Sequence, residues 1–157
     1  MLPAVLRFVR LPLLLVLLWA IARFSLGLAG VPYAPRGSAM FSIVGLTYIS
    51  CLYYGALSRP VGGFGWGGTL LVGITIGLFG QILIFLATLV SYLGNLNTYF
   101  IHWDALNVPE GTTVPMAQAM MARTGGLIVG GVLTPAIAAA IGRALGKLAP
   151  SALKAER

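Results

Sequence analysis

Residues 68–93 read GTLLVGITIGLFGQILIFLATLVSYL, a run that contains no Asp, Glu, Lys, Arg or His. A helix needs about 20 apolar residues to cross the roughly 30 Å hydrocarbon core of a bilayer, and this run exceeds that length. Three further apolar runs are long enough, at residues 11–31, 38–57 and 124–145. We therefore predict an all-α integral membrane protein, a single domain (1–157) built as a bundle of four transmembrane helices.

The composition excludes an ordinary soluble domain. Of the 157 residues, 59% are hydrophobic and 8% are charged, whereas soluble domains carry about 25% charged residues. The formal net charge of +7 would suggest nucleic acid as a partner in a soluble protein. Here the basic residues flank apolar runs, so we expect membrane lipids, and not nucleic acid, to face them.

The basic residues also predict an orientation. With four spans, the N-terminus, the 58–67 turn and the C-terminus share one side of the membrane. That side carries Arg7, Arg10, Arg59, Arg143, Lys147, Lys154 and Arg157, and the other side carries Arg36 and Arg123. Because Lys and Arg accumulate in cytoplasmic loops, we predict both termini in the cytoplasm (N-in, C-in) of a prokaryotic cell and residues 94–123 as an outward loop. We expect the first apolar run to be retained as a helix and not cleaved as a leader.

Small residues recur every fourth position in the last apolar run. The ridge consists of Ala122, Gly126, Gly130, Thr134, Ala138, Gly142 and Gly146, and the third run offers Gly73, Gly77 and Gly80. Because such residues have small side chains or none, they let helix backbones approach each other closely in lipid. The ridge predicts packing within the chain, or docking of part of it onto another subunit.

Polar groups within the spans form a second candidate site. Arg23, Tyr48 and Gln81 are predicted to lie within about two turns of mid-membrane, together with Thr47 and Thr134. A charge at that depth is costly and requires a partner or a path to water. We expect Arg23 to reach the headgroups and to bond to Gln81, and the alternative is a ligand, ion or inter-subunit role.

The outward loop holds the third candidate site, formed by His102, Asp104 and Glu110. A His and carboxylates could polarise one another or share an ion, but we interpret the loop mainly as an interfacial aromatic belt with polar neighbours. The chain has one His and one Cys without metal-ligand spacing. We therefore expect no metal site and no cofactor.

These features favour three functions in descending order. The first is a non-catalytic accessory or scaffold subunit that packs against other membrane subunits or against itself. The alternative is a small homo-oligomeric carrier or channel, in which Arg23, Gln81 and Tyr48 line a path for an anion or polar solute. The third is a lipid-acting membrane enzyme that uses the outward-loop residues.

Overall fold

The structure, a computed structural model, describes residues 1–31 and 41–146, and every regular element in these ranges is helical. The helices are α1 (Leu2–Phe8), α2 (Arg10–Leu28), α3 (Ile43–Leu57), α4 (Trp66–Leu93), α5 (Met116–Ile128) and α6 (Thr134–Leu145). A π-helical segment, Val129–Leu133, joins α5 to α6, and two short 3₁₀ turns, Tyr99–Ile101 and Asp104–Leu106, lie between α4 and α5. The predicted all-α class is confirmed for this part of the chain.

Three helical runs are long and apolar enough to cross a membrane: Arg10–Leu28, Trp66–Leu93 and Met116–Leu145. The fourth apolar helix, α3, is shorter, at 15 residues, and rises about 22 Å. Ser42 caps α3, because its side chain accepts a hydrogen bond of 3.1 Å from the Gly45 amide. The architecture is that of a helical membrane protein.

Several element boundaries differ from the predicted ones. The first helical run begins at Leu2, before the predicted span. Helix α5 begins at Met116, directly after Pro115 in the outward loop, where the sequence indicates a helix that extends the fourth span or lies at the interface. The helix reaches beyond the apolar run in both cases, because flanking residues with good helix propensity continue it. Residues 38–40 of the predicted second span, and Arg36, Lys147, Lys154 and Arg157 of the orientation count, lie outside the described residues.

The four helical runs alternate in direction between two ends of the bundle. We call the end that contains Arg143 and Thr69 the Arg143 end. The rings of Phe8 and Phe64 meet there at 5.3 Å between centroids, at the start of the first run and just before α4. The opposite end, which contains Arg123, is the Arg123 end; a cavity there is lined by residues from α2, α3, α4 and α5.

Helices α3 and α6 pack so closely that side chains are excluded from part of their contact. A Cβ atom on Gly55 would collide with the backbone of Ala139, and one on Gly142 would collide with the carbonyl of Leu52. Glycine at these two positions therefore allows backbone to lie against backbone. This contact joins the second and fourth helical runs along the part of their length nearer the Arg143 end.

The α4–α6 contact depends on Pro135. A Cβ on Gly73 or on Gly77 would collide with Pro135, and one on Gly77 would also lie 2.5 Å from the Gly131 carbonyl oxygen. Proline has no N–H, so the carbonyl four residues earlier, that of Gly131, loses its α-helical donor. The π segment lies at this position, and Gly77 leaves room for the displaced backbone.

Candidate functional site

The Arg123 end of the bundle holds a cavity of about 210 Å³ between α2, α3, α4, α5 and the 94–115 loop. Its polar lining residues are Arg23, Ser42, Tyr99, Asp104, Asn107 and Arg123, and apolar side chains such as Ile43, Val44 and Ile84 complete it. Two cations and one carboxylate therefore share one small space. Asn107 adopts a left-handed conformation, with φ of 55°, and reverses the chain at the cavity edge.

Arg123 is held in the cavity wall by uncharged acceptors. Its Nε donates to Thr88 Oγ1 at 3.1 Å and its Nη2 donates to the Phe100 carbonyl at 3.0 Å. Thr88 is fully buried and donates its own proton to the Ile84 carbonyl at 2.8 Å, so its oxygen is free to accept. These bonds link α5, α4 and the first 3₁₀ turn, and they leave the charge of Arg123 without a carboxylate partner among the described hydrogen bonds.

Arg23 is buried, with 7% of its surface exposed, and its guanidinium carbon lies 3.8 Å from the centroid of the Tyr99 ring. This is cation–π geometry, which stabilises a desolvated cation. The Tyr99 hydroxyl donates in turn to Asp104 Oδ2 at 3.1 Å. Burial raises the pKa of Tyr99, the hydrogen bond and charge of Asp104 raise it further, and Arg23 partly opposes them. The phenol therefore remains a protonated donor at neutral pH.

The sequence hypothesis grouped Arg23 with Tyr48 and Gln81 near mid-membrane, and the structure separates them. The first helical run starts at Leu2 and α2 ends at Leu28, so its midpoint lies well before Arg23. Arg23 consequently lies at the Arg123 end beside the loop, in a cavity that neither Tyr48 nor Gln81 lines. Of the predicted polar residues, the structure brings together Arg23 and Asp104.

Gln81 contacts the π segment, and Tyr48 contacts Thr134, the residue that follows it. Tyr48 Oη lies 2.7 Å from Thr134 Oγ1, and Thr134 donates to the Val129 carbonyl at 3.0 Å, so the proton between the two hydroxyls comes from Tyr48. The Gln81 side chain occupies the space beside Gly130, where a Cβ would lie 2.6 Å from Gln81 Nε2. These polar groups join α3 and α4 to the interrupted part of the last helical run.

The predicted loop residues meet only in part. The backbone amide of Asp104 donates to His102 Nδ1 at 3.4 Å, whereas the Asp104 carboxylate accepts from Tyr99. The His102 ring lies 5.0 Å from Trp103 between ring centroids, and Glu110 is exposed. Among residues 1–31 and 41–146, no three His, Cys, Asp or Glu side chains are grouped so that they could hold a metal ion.

Some residues of the predicted small-residue ridge contact other helices, but most of the buried positions of the last helical run are not ridge positions. The buried positions of the last helical run are Ala119, Gly131, Pro135, Ala139 and Gly142, whereas Thr134 and Ala138 are half-buried and Ala122 is exposed. Among the other predicted positions, Gly126 faces Gln81, Gly146 faces Ala56 and Gly80 faces Thr47. A regular four-residue repeat in the sequence does not predict these buried positions, because the π segment interrupts the α-helical periodicity and so changes which of the following residues face the other helices.

Arg143 forms a counterpart to Arg123 at the other end of the same helical run. Its Nη1 donates to the Phe64 carbonyl at 2.8 Å and to Thr69 Oγ1 at 2.6 Å, and its guanidinium carbon lies 4.7 Å from the Trp66 ring centroid. Ser58 Oγ, at the end of α3, lies 2.7 Å from Thr69 Oγ1. Each arginine thus bonds to a threonine of α4 and to a backbone carbonyl, a pairing that the sequence did not reveal because its partners are distant along the chain.

No protein-family model, no curated protein and no solved structure matches this chain. Its proposed function therefore rests on the geometry and chemistry of its own residues.

Proposed function

We propose that the chain is a non-catalytic membrane protein of four spans, an accessory or scaffold subunit that packs against another membrane chain. Both termini are assigned to the cytoplasmic side of a prokaryotic cytoplasmic membrane. The observation that carries the accessory role is an exposed face of α5 that includes the small residues Ala122 and Gly125.

The two arginine contacts support the four-span count. Arg123 and Arg143 belong to one helical run and are separated by about 30 Å at 1.5 Å per residue, which matches the thickness of the hydrocarbon core. Helix α3 has Ile43 in the cavity beside Arg123, and Ser58 follows it, bonded to the threonine that holds Arg143. Despite its length, α3 therefore connects the same two levels as the longer helices.

The distribution of arginines supports the orientation. Among the described residues, Arg7, Arg10, Arg59 and Arg143 belong to the Arg143 end, and Arg23 and Arg123 belong to the Arg123 end. Because Arg23 lies at the Arg123 end and not in the middle of a span, the two ends differ less in their number of arginines, but the Arg143 end still has more. The positive-inside rule then assigns the Arg143 end, and both termini with it, to the cytoplasm.

The exposed stripe of α5 supports docking of a partner. Gln118, Ala122, Gly125 and Val129 lie on one side of the helix and are all exposed, and a Cβ on Gly125 would meet no atom within 4 Å. Small outward residues allow a second helix to approach the backbone, and such close packing contributes to helix association in lipid. The glycines at 55, 73, 77 and 142, by contrast, are already covered by this chain's own helices.

The carrier alternative has less support from the geometry. Arg23 lies in the cavity at the Arg123 end, whereas Gln81 contacts the π segment and Tyr48 bonds to Thr134 at the start of α6. A path for an anion would require these groups to line one continuous space. The enzymatic alternative has less support because the Asp104 carboxylate bonds to Tyr99 and Glu110 is exposed.

The accessory role is tested by purifying the tagged chain from its native membrane in mild detergent and recording native mass spectra. We expect a foreign membrane chain in stoichiometric amount, lost on Gly125→Leu and retained on Ala144→Leu, a matched change at another exposed position of the same helical run. A lone chain or a homo-oligomer from the wild type would contradict the proposal. Ligand-dependent flux through the reconstituted chain alone would replace it with the carrier function.

A further inference from the structure

We propose that the cavity at the Arg123 end binds the phosphodiester group of a membrane phospholipid. This inference concerns a lipid site and does not depend on which partner the α5 stripe takes or on which side of the membrane the cavity faces.

The charge balance of the cavity favours a monoanion. Arg23 and Arg123 line it together with a single carboxylate, that of Asp104. Both acceptors on Arg123 are neutral, a threonine hydroxyl and a backbone carbonyl. Desolvated charge is costly unless it is compensated, so a bound group with one negative charge would complete the site. A phosphodiester carries one such charge at neutral pH.

The cavity also offers hydrogen-bond donors that lack acceptors. Arg123 uses Nε and Nη2, and its Nη1 group has no acceptor among the described residues. Ser42 Oγ accepts from the Gly45 amide, and its proton has no acceptor in the same part of the chain. Phosphate oxygens accept from arginine in strong, charge-assisted hydrogen bonds. The donors therefore match an oxyanion and not a second cation.

The size and apolar lining of the cavity favour a lipid headgroup over a larger soluble ligand. About 210 Å³ is less than the 300–1,000 Å³ typical of sites for drug-sized ligands. Val44 lines the cavity and is also 40% exposed on the outer surface of α3. Apolar surface therefore runs from the cavity towards the surrounding lipid, where acyl chains of a bound phospholipid would lie.

The depth of the cavity is also appropriate. Arg123 lies about 30 Å along its helical run from Arg143, so one arginine is expected at each boundary of the hydrocarbon core. The phosphates of a bilayer lie just outside that core. The cavity is thus at the level where a lipid phosphate can reach it without leaving the membrane.

The test uses delipidated protein in a phosphate-free maltoside detergent, titrated with dioleoylphosphatidylglycerol. The control titration uses dioleoylglycerol, which has the same acyl chains and no phosphate. Native mass spectrometry counts bound lipid, and a thermal melt reports stabilisation. We expect one tightly retained phosphatidylglycerol, no retained dioleoylglycerol, and weaker lipid retention at high salt, because salt screens charge attraction.

Three variants distinguish a specific site from general charge. Arg123→Gln should weaken phosphatidylglycerol binding at least about tenfold, consistent with loss of a charge-assisted hydrogen bond. Arg143→Gln, which removes the counterpart arginine at the other end, should leave that affinity unchanged. Asp104→Asn, which keeps an acceptor for Tyr99, should tighten binding, and this gain keeps the proposal falsifiable if Arg123→Gln fails to fold.

The remaining outcomes overturn the proposal. Equal retention of dioleoylglycerol would mean that the surface takes acyl chains only. Stabilisation by inorganic phosphate as strong as that by phosphatidylglycerol would assign the cavity to a free anion. Unchanged affinity in both Arg123→Gln and Asp104→Asn would place the bound lipid elsewhere on the protein.

Discussion

Tyr48 of α3 donates a hydrogen bond of 2.7 Å to Thr134, the residue at which the π segment gives way to α6. Thr134 donates onward to the Val129 carbonyl, inside the π segment. The two bonds form a polar link between α3 and the one interruption in the last helical run of the described chain. Within a membrane, where water is scarce, hydrogen bonds to water cannot readily replace such a link.

The first prediction concerns this link. Tyr48→Phe should lower the free energy of unfolding by roughly 0.5–1.5 kcal/mol, the usual range for a hydrogen bond between helices in lipid. Unfolding in mixed maltoside and dodecyl sulfate micelles measures it. Tyr53→Phe removes a hydroxyl from a side chain that is 61% exposed and should change stability little. Equal effects of the two substitutions would contradict a role for the Tyr48–Thr134 bond.

The second prediction compares two glycines of the same helical run. Gly142→Ala places a methyl group against the Leu52 carbonyl and should destabilise the fold by about 1–3 kcal/mol, as overpacking does. Gly125→Ala meets open space and should be neutral or stabilise by up to about 1 kcal/mol, because alanine favours helix. Thermal melts of both variants in detergent test this. A destabilising Gly125→Ala in the isolated chain would contradict the packing.

The third prediction concerns pH. The pKa of Tyr99 is higher in the folded chain than its ordinary value of about 10 in the unfolded chain. The protonated phenol therefore contributes its full stabilisation below about pH 10, and this contribution is lost as the pH rises through the pKa of the folded chain. The difference in tyrosinate absorbance between wild type and Tyr99→Phe should therefore show a midpoint above 10. Asp104→Asn should shift that midpoint downward, because it removes the negative charge beside the phenol. A wild-type midpoint at or below 10 would contradict the Tyr99–Asp104 hydrogen bond and the partial burial of the phenol.

Parts of this architecture followed from the sequence, for identifiable physical reasons. The uncharged run at 68–93 predicted a helix that the structure has at Trp66–Leu93, because in lipid a backbone must satisfy its own hydrogen bonds. Helix existence depends on such local composition. The exact ends of a helix do not, and the first helical run begins at Leu2, before the predicted span.

Side-chain placement was harder to predict than the helices. The four-residue ridge gave the correct residue types for close packing, but the π segment next to Pro135 places Gly131 and Ala139 among the buried positions. Arg23 was assigned to mid-membrane because the start of the first helical run was placed too late. The contact of Arg123 with Thr88 joins residues 35 positions apart, and no local pattern encodes such a pair.

The central claim is that four helical runs, α3 included, cross the membrane between the levels of Arg143 and Arg123. Single cysteines at Val31, Arg59 and Glu110, in a Cys51→Ala background, test it by labelling with a membrane-impermeant maleimide before and after lysis of spheroplasts. We predict labelling of positions 31 and 110 in intact spheroplasts and labelling of position 59 only after lysis. Labelling of positions 31 and 59 from the same side would contradict the claim, because α3 would then not cross.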